Sequence, residues 1–178
     1  SHTTDLAVDF GRKVRNLIAL DAYRSIFPTV KLAQDSKSAG RWNTNVGGEY
    51  YACGIGSALA GRGADLLLVD DPHSEQDVIN GNFGVFEKAY EWFTFGARTR
   101  LMPHGAVAII QTRWHLDDLT GRVVRDMGKN ERADQYDVVE FPAILDVLDK
   151  KTEKTVQKPL WPEFFDLEAL LRTKASMP

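Results

Sequence analysis

The apolar run Leu66-Leu67-Leu68-Val69 ends in two adjacent acids, Asp70 and Asp71, followed by Pro72 and His73. Carboxylates there suit phosphate chemistry. One can hold a hydrated Mg²⁺ on a polyphosphate, directly or through water. A second beside it can orient or deprotonate an attacking water. Asp-Asp-Pro is also ordinary turn chemistry at a strand end, so the pair alone leaves both readings open. A second polar cluster, Gln111-Thr112-Arg113, closes the next apolar run, Ala106 to Ile110. On a strand beside the acids, Gln111 or Thr112 would reach a terminal phosphate and register its presence. Loop polarity with a helix cap is the alternative. Arg62, between Gly61 and Gly63, offers a guanidinium to phosphate charge in cis or across a subunit boundary, or is a solvated loop arginine.

Other polar groups read as structural. His73 and His115 neighbour acids, but the sequence has no HExxH, no Cys partner and no His pair on one helical face. Asp117-Asp118 belong in the first turn of a helix, where acids suit the dipole. Trp42, Trp92, Trp114 and Trp161 read as core or half-buried anchors. Cys53, the single cysteine, excludes an internal disulfide framework and a Cys-rich zinc site. It reads as a buried small hydrophobe in a reducing compartment. No Ser-His-Asp or Cys-His arrangement is legible. A phosphate cradle of the form G-x-x-x-x-G-K-[ST] is also missing. The Gly128-Lys129 pair lacks both the upstream glycine and the following Ser or Thr.

The elements that must position these groups follow from periodicity. Leu6, Phe10, Val14, Leu17 and Ile18 predict an amphipathic helix over residues 4–21. Trp42, Thr44 and Val46, then Gly47-Gly48, then Glu49, Tyr51 and Cys53 predict a hairpin with a type I′ turn on the two glycines. Residues 66–69 read as a strand buried on both faces, as in a parallel sheet. A helix runs from Val78 or Ile79 through Phe83, Phe86, Tyr90 and Phe93 to Ala97. Gly105 opens a second buried strand, and Leu116, Leu119 and Val123 give the next helix its apolar face. Val138, Val139 and Phe141 predict a short strand, residues 146–158 an exposed charged loop, and Asp166 the cap of a last helix with Leu167, Leu170 and Leu171 inside. Alternating strands and helices mean an α/β protein with a mainly parallel sheet. Ligands of such sheets bind at the carboxyl ends of the strands, where both polar clusters lie.

The composition is compatible. The chain has 178 residues, 43% hydrophobic and 26% charged, which fits one globular domain and excludes disordered, coiled-coil and collagen-like chains. A net charge of −3 provides no global positive field to draw it onto nucleic acid or an anionic membrane. No apolar run approaches the roughly 18 residues of a membrane span, and no signal peptide opens the chain.

Gly63-Ala64-Asp65-Leu66-Leu67-Leu68-Val69-Asp70-Asp71-Pro72-His73 resembles the Walker B region of the large terminase subunit of tailed bacteriophages. Thr99-Arg100-Leu101-Met102-Pro103-His104-Gly105, running into Gln111-Thr112-Arg113-Trp114-His115-Leu116-Asp117-Asp118-Leu119-Thr120-Gly121, is similar to that family's coupling motif. The Gly47-Gly48 hairpin, Phe141-Pro142-Ala143 and Leu160-Trp161-Pro162-Glu163 fit in the same order, so the resemblance spans nearly the whole chain. It implies a P-loop NTPase of the additional-strand (ASCE) type, a three-layer α/β fold incomplete at its N-terminus. Residues 1–178 would be a partial ATPase domain, lacking Walker A and ending near the linker to an absent nuclease domain. The complete protein would hydrolyse ATP with Mg²⁺ to move double-stranded DNA into a procapsid, and would also cut it. Portal protein and small terminase subunit would be its partners, with other subunits in an oligomer, and the host bacterial cytoplasm its location. The resemblance implies Asp70 as the magnesium ligand, Asp71 as the acid that aligns water, and Gln111 and Thr112 as nucleotide-sensing, with Arg62 a further catalytic candidate. An inert remnant or interaction subdomain, and another helicase-like ASCE motor, are the competing expectations.

Overall fold

The computed structural model describes residues 1–36, 38–59, 61–150 and 152–177. The chain divides into two compact units, Ser1–Asp134 and Gln135–Pro178. The secondary structure is mixed α/β, and the sheets described are small: three pairs of strands, of which one is parallel.

In the first unit, α1 (Thr4–Ile18) starts on Thr3, whose hydroxyl accepts from the Leu6 N–H. The helix packs on Gly11 and Ile18 rather than on its long apolar stripe, and Phe10, Val14 and Leu17 remain exposed. Its partner is the hairpin β1 (Arg41–Asn43) and β2 (Glu49–Tyr51). Trp42 and Tyr50 lie opposite each other in the register and stack 5.1 Å apart. Both then tie to α1: Trp42 Nε1–H donates to the Gly11 carbonyl at 3.1 Å and the Tyr50 hydroxyl to that of Ala7 at 3.0 Å. A short α2 (Asp21–Ile26) follows α1. The hairpin turn differs from expectation. Thr44 N–H donates to Gly48 O and Gly47 N–H to Thr44 O. The loop is therefore the three residues Asn45-Val46-Gly47, with the left-handed position at Gly47 (φ 88°), as in hairpins that close with a glycine bulge.

Strands β3 (Ala64–Asp70) and β4 (Leu101–Ile110) run parallel, with Leu66 opposite Ala106 and Asp70 opposite Ile110. The strand β4 begins four residues before Gly105. Burial of β3 is one-sided, contrary to expectation. Val69 is 2% exposed, whereas Leu66 and Leu68 are 62% and 55% exposed. Phe86 and Ala89 of α4 (Gly84–Glu91), Phe93 and Ala97 of its continuation, and Leu119 and Val123 of α5 (Leu119–Lys129) are buried like Val69, and α4 and α5 pack on each other.

The long helix predicted between the strands is broken. The helix α3 (Glu75–Ile79) ends at Asn80, α4 starts at Gly84, and α4 continues as a π-helical turn over Trp92–Ala97 and a 3₁₀ turn over Arg98–Arg100. Apolar spacing of three and four continues across the break, so periodicity cannot detect it. Leu116 lies before α5 and is largely exposed.

In the second unit, β5 (Ile144–Asp149) and β6 (Lys154–Pro159) form an antiparallel hairpin where a charged loop was predicted. The apolar residues of β5 come in adjacent pairs, Ile144-Leu145 and Val147-Leu148, and β6 has Val156 among polar residues, so neither alternates cleanly, which hid the strands. Lys151, in the same stretch, lies outside the described residues. Val138, Val139 and Phe141 form no strand and are exposed. Asp166 caps α6 (Leu167–Ala175) through the Ala169 N–H at 2.7 Å. Leu171 and Trp161 are exposed, not packed as anchors.

Candidate active site at the ends of the parallel strands

The parallel pairing of β3 and β4 puts both polar clusters at one end of the sheet. Asp71 follows the last residue of β3 and turns left-handed, with φ 38°. Asp tolerates that region better than most side chains. The Asp71 N–H donates to the Ile110 carbonyl at 2.9 Å, which extends the pairing one residue past the strand. Its Oδ1 accepts the Thr112 N–H at 3.0 Å. Its carbonyl accepts from the His2 N–H at 3.0 Å. Asp71 and Thr112 thus share one open cleft of about 440 Å³, lined also by His2, His73, Ser74, Glu75, Gln76 and Trp114.

Of the other expected residues, Asp70 is half-buried at the strand end, opposite Ile110. Both amide atoms of Gln111 are buried with no hydrogen-bond partner among the described residues, a condition that costs about 1–3 kcal/mol for a group of this kind. Arg62 lies elsewhere: its Nη1 is 3.1 Å from a Glu49 carboxylate oxygen, and its guanidinium stacks 3.9 Å over Tyr51. It belongs to the β2 side of the hairpin and does not line the cleft.

Two residues assigned only structural or marginal roles by sequence organise the site. Asp118, 0% exposed, is the N-cap of α5 rather than a first-turn residue. Its Oδ1 accepts the Gly121 N–H at 2.8 Å. Its Oδ2 accepts from Arg113 Nε at 2.9 Å and from the N–H groups of Trp114 and His115 at 3.2 and 3.3 Å. Burial pushes its carboxyl up, but the Arg113 guanidinium and these backbone donors outweigh burial and hold it below the usual carboxylate range. Arg113, Trp114 and His115 of the connection from β4 to α5 are gathered on this one side chain. His73, 3% exposed, accepts the Leu119 N–H on Nε2 at 3.0 Å, so the neutral ring carries its proton on Nδ1. Phe86 meets it edge-on, with ring centres 4.7 Å apart. Burial pushes its pKa down, against the opposing pull of Asp118 and Asp77. The end of β3 is thus joined to the α5 N-terminus by His73 and to the β4 loop by Asp71.

Asp71 and Glu75 supply hard oxygen to the cleft, of the type a hydrated divalent cation prefers, whereas Asp70 and Gln111 do not line it. Among the described residues, no group of three or more His, Cys, Asp or Glu is placed to enclose a metal ion, and neither Lys nor Arg lines the cleft. Carboxylates suited to a cation are therefore present without a basic partner for phosphate. Among the described residues no helix is long and apolar enough to cross a membrane. Compared with protein-family models, curated proteins and solved structures, the chain matches none.

Two predictions follow from the network around Asp118. His73 binds a proton less readily when folded than when unfolded. Its contribution to stability is therefore complete above its ordinary pKa of about 6.5 and is lost as pH falls below it. Urea midpoints measured between pH 7.5 and 5.5 are expected to decline for the natural chain and to decline less for His73→Gln. Equal slopes would contradict a buried neutral His73. Gly121 allows the tightest approach: a Cβ there would lie 2.2 Å from the Leu116 carbonyl and 2.8 Å from Arg113 Nη2. Gly→Ala in a helix normally stabilises by about 1 kcal/mol. Here Gly121→Ala is expected to destabilise by about 1–3 kcal/mol, read from the same unfolding curves.

Proposed function

We propose that this chain is the Walker B and coupling portion of a P-loop ATPase motor, similar to the large terminase subunit of tailed bacteriophages. Its ATP hydrolysis would move double-stranded DNA into a procapsid, with portal protein and small terminase subunit as partners. The observation that carries the reading is the Thr112 N–H to Asp71 Oδ1 bond at 3.0 Å across the carboxyl ends of two parallel strands. An acid at one strand end and a polar sensor at its neighbour are the two parts such a motor needs side by side.

In this reading Asp70 is the carboxylate for Mg²⁺, which would neutralise charge on the β- and γ-phosphates of ATP. Asp71 spends Oδ1 on Thr112, which orients Oδ2 to accept a proton from a water in line with the γ-phosphate. Thr112, bonded through its backbone, transmits any displacement of Asp71 into the β4–α5 connection. Gln111 carries a buried amide ready for a polar ligand group. Arg62 is held by Glu49 and Tyr51 and would have to leave them to reach phosphate, in its own subunit or a neighbour.

The phosphate cradle lies outside these 178 residues in this account. The chain alone is therefore expected to show no rise in melting temperature with Mg-ATPγS, since only a ligand of the folded state stabilises it. In the protein carrying the cradle, Asp70→Ala is expected to lower DNA-stimulated ATP turnover by on the order of 100-fold or more. Undiminished turnover in that variant would refute the assignment of Asp70. A melting shift in the chain alone, abolished by Asp70→Asn, would instead place nucleotide in the cleft without an added cradle.

A further inference from the structure

We infer that Asp118 is a positioning residue for Asp71, acting at a distance through the loop it holds, and that its helix-capping role is separable from this one. The inference rests on the reading of Asp71 as the ligand-facing acid. The geometry divides the two tasks between two oxygens. Oδ1 caps α5 through the Gly121 N–H at 2.8 Å. Oδ2 gathers the loop, taking the Trp114 and His115 N–H groups, while Arg113 Nε donates to both oxygens, at 3.1 Å to Oδ1 and 2.9 Å to Oδ2. Those three residues directly follow Thr112, whose N–H fixes Asp71 Oδ1. The peptide plane that presents this N–H is therefore anchored on its C-terminal side by a buried carboxylate and on its N-terminal side by the end of β4. Arg113 is the exposed member, with its side chain 45% accessible. It completes the charge balance of an acid that has no contact with solvent.

Position here means the setting of an acceptor. The Asp71 carboxylate sits on a left-handed residue at the end of an edge strand, where little else fixes its rotamer. A Thr112 N–H held in place selects one orientation of that carboxylate, which lines the cleft. If the loop is released, Asp71 regains its other rotamers even though β3, β4 and α5 remain formed.

Asp118→Asn separates the two roles. Asn is as good an N-cap as Asp, so the Gly121 N–H keeps its acceptor. The amide NH₂ would then face the Trp114 and His115 N–H groups, which lose their acceptor, while Arg113 Nε keeps only Oδ1, and the loop is released. Measured by NMR on the whole chain, the Thr112 amide is expected to exchange with solvent about tenfold faster in Asp118→Asn. Amides of Val69 and of α5 are expected to keep their natural rates. The Thr112 proton shift is expected to move toward that of Asp71→Asn, the reference for an amide without a charged acceptor. Arg113→Gln, which leaves both carboxylates in place, is expected to act in the same direction. Unchanged Thr112 exchange in both variants would overturn the inference, as would an equal acceleration throughout α5, which would mark Asp118 as a cap alone. Titration with Mg²⁺ alone tests the underlying reading separately. A Thr112 amide that responds in the natural chain and not in Asp71→Asn supports a cation at Asp71. An amide indifferent to Mg²⁺ yet released by Asp118→Asn removes the cation and leaves the positioning role standing.

Discussion

A carboxylate with no exposed surface must be matched by donors around it, since a buried charge stripped of its partners costs several kcal/mol. Asp118 meets that requirement with one guanidinium and three backbone N–H groups. The demand propagates outward. It fixes the turn from Arg113 to His115, starts α5 at Leu119 and brings Arg113 across the first turn of the helix. It also requires the residue at 121 to lack a side chain, because Leu116 O and Arg113 Nη2 occupy the space. His73 then completes the junction by accepting the Leu119 N–H beside this cap. Two strands, a loop and a helix meet here on groups that each have one acceptable arrangement.

That junction gives the strand ends a defined chemistry. Asp71 is bonded at N–H, carbonyl and Oδ1 to three residues on two segments, Ile110 and Thr112 at the end of β4 and His2 at the N-terminus. Such over-determination lets a residue other than glycine stay in the left-handed region. Gln111 carries the opposite imbalance, a buried amide without partners.

The sequence was most legible where a single signal sufficed. The apolar run ending in Asp70-Asp71, its parallel neighbour ending in Gln111-Thr112, and the caps at Thr3 and Asp166 are all where their residue types require. It was least legible where a tertiary partner decides. The apolar residues of β3 fit a doubly covered strand, yet Leu66 and Leu68 are exposed, because burial depends on what lies across the face and not on the strand itself. The hairpin β5–β6 carries its apolar residues in adjacent pairs, Ile144-Leu145 and Val147-Leu148, a spacing that does not read as a strand. Asp118 was legible as a helix-start acid, but its burial arises from the meeting of Arg113, Trp114 and Gly121 around it. His73 was visible only as a histidine after a strand. Its role depends on a hydrogen bond to a residue 46 positions away. An aromatic spacing that continued through Asn80–Phe83 concealed the break between α3 and α4.

The account turns on whether His73 and Asp118 form one junction. A double-mutant cycle on unfolding free energy, using His73→Gln, Asp118→Asn and the pair, measures that directly. Residues that share a network couple by about 0.5–3 kcal/mol, whereas independent sites add to within about 0.3–0.5 kcal/mol. A coupling of about 1 kcal/mol or more is the result this structure predicts. Simple additivity would mean that the two strand ends are held independently, and would contradict the description of the site as a single clamped unit.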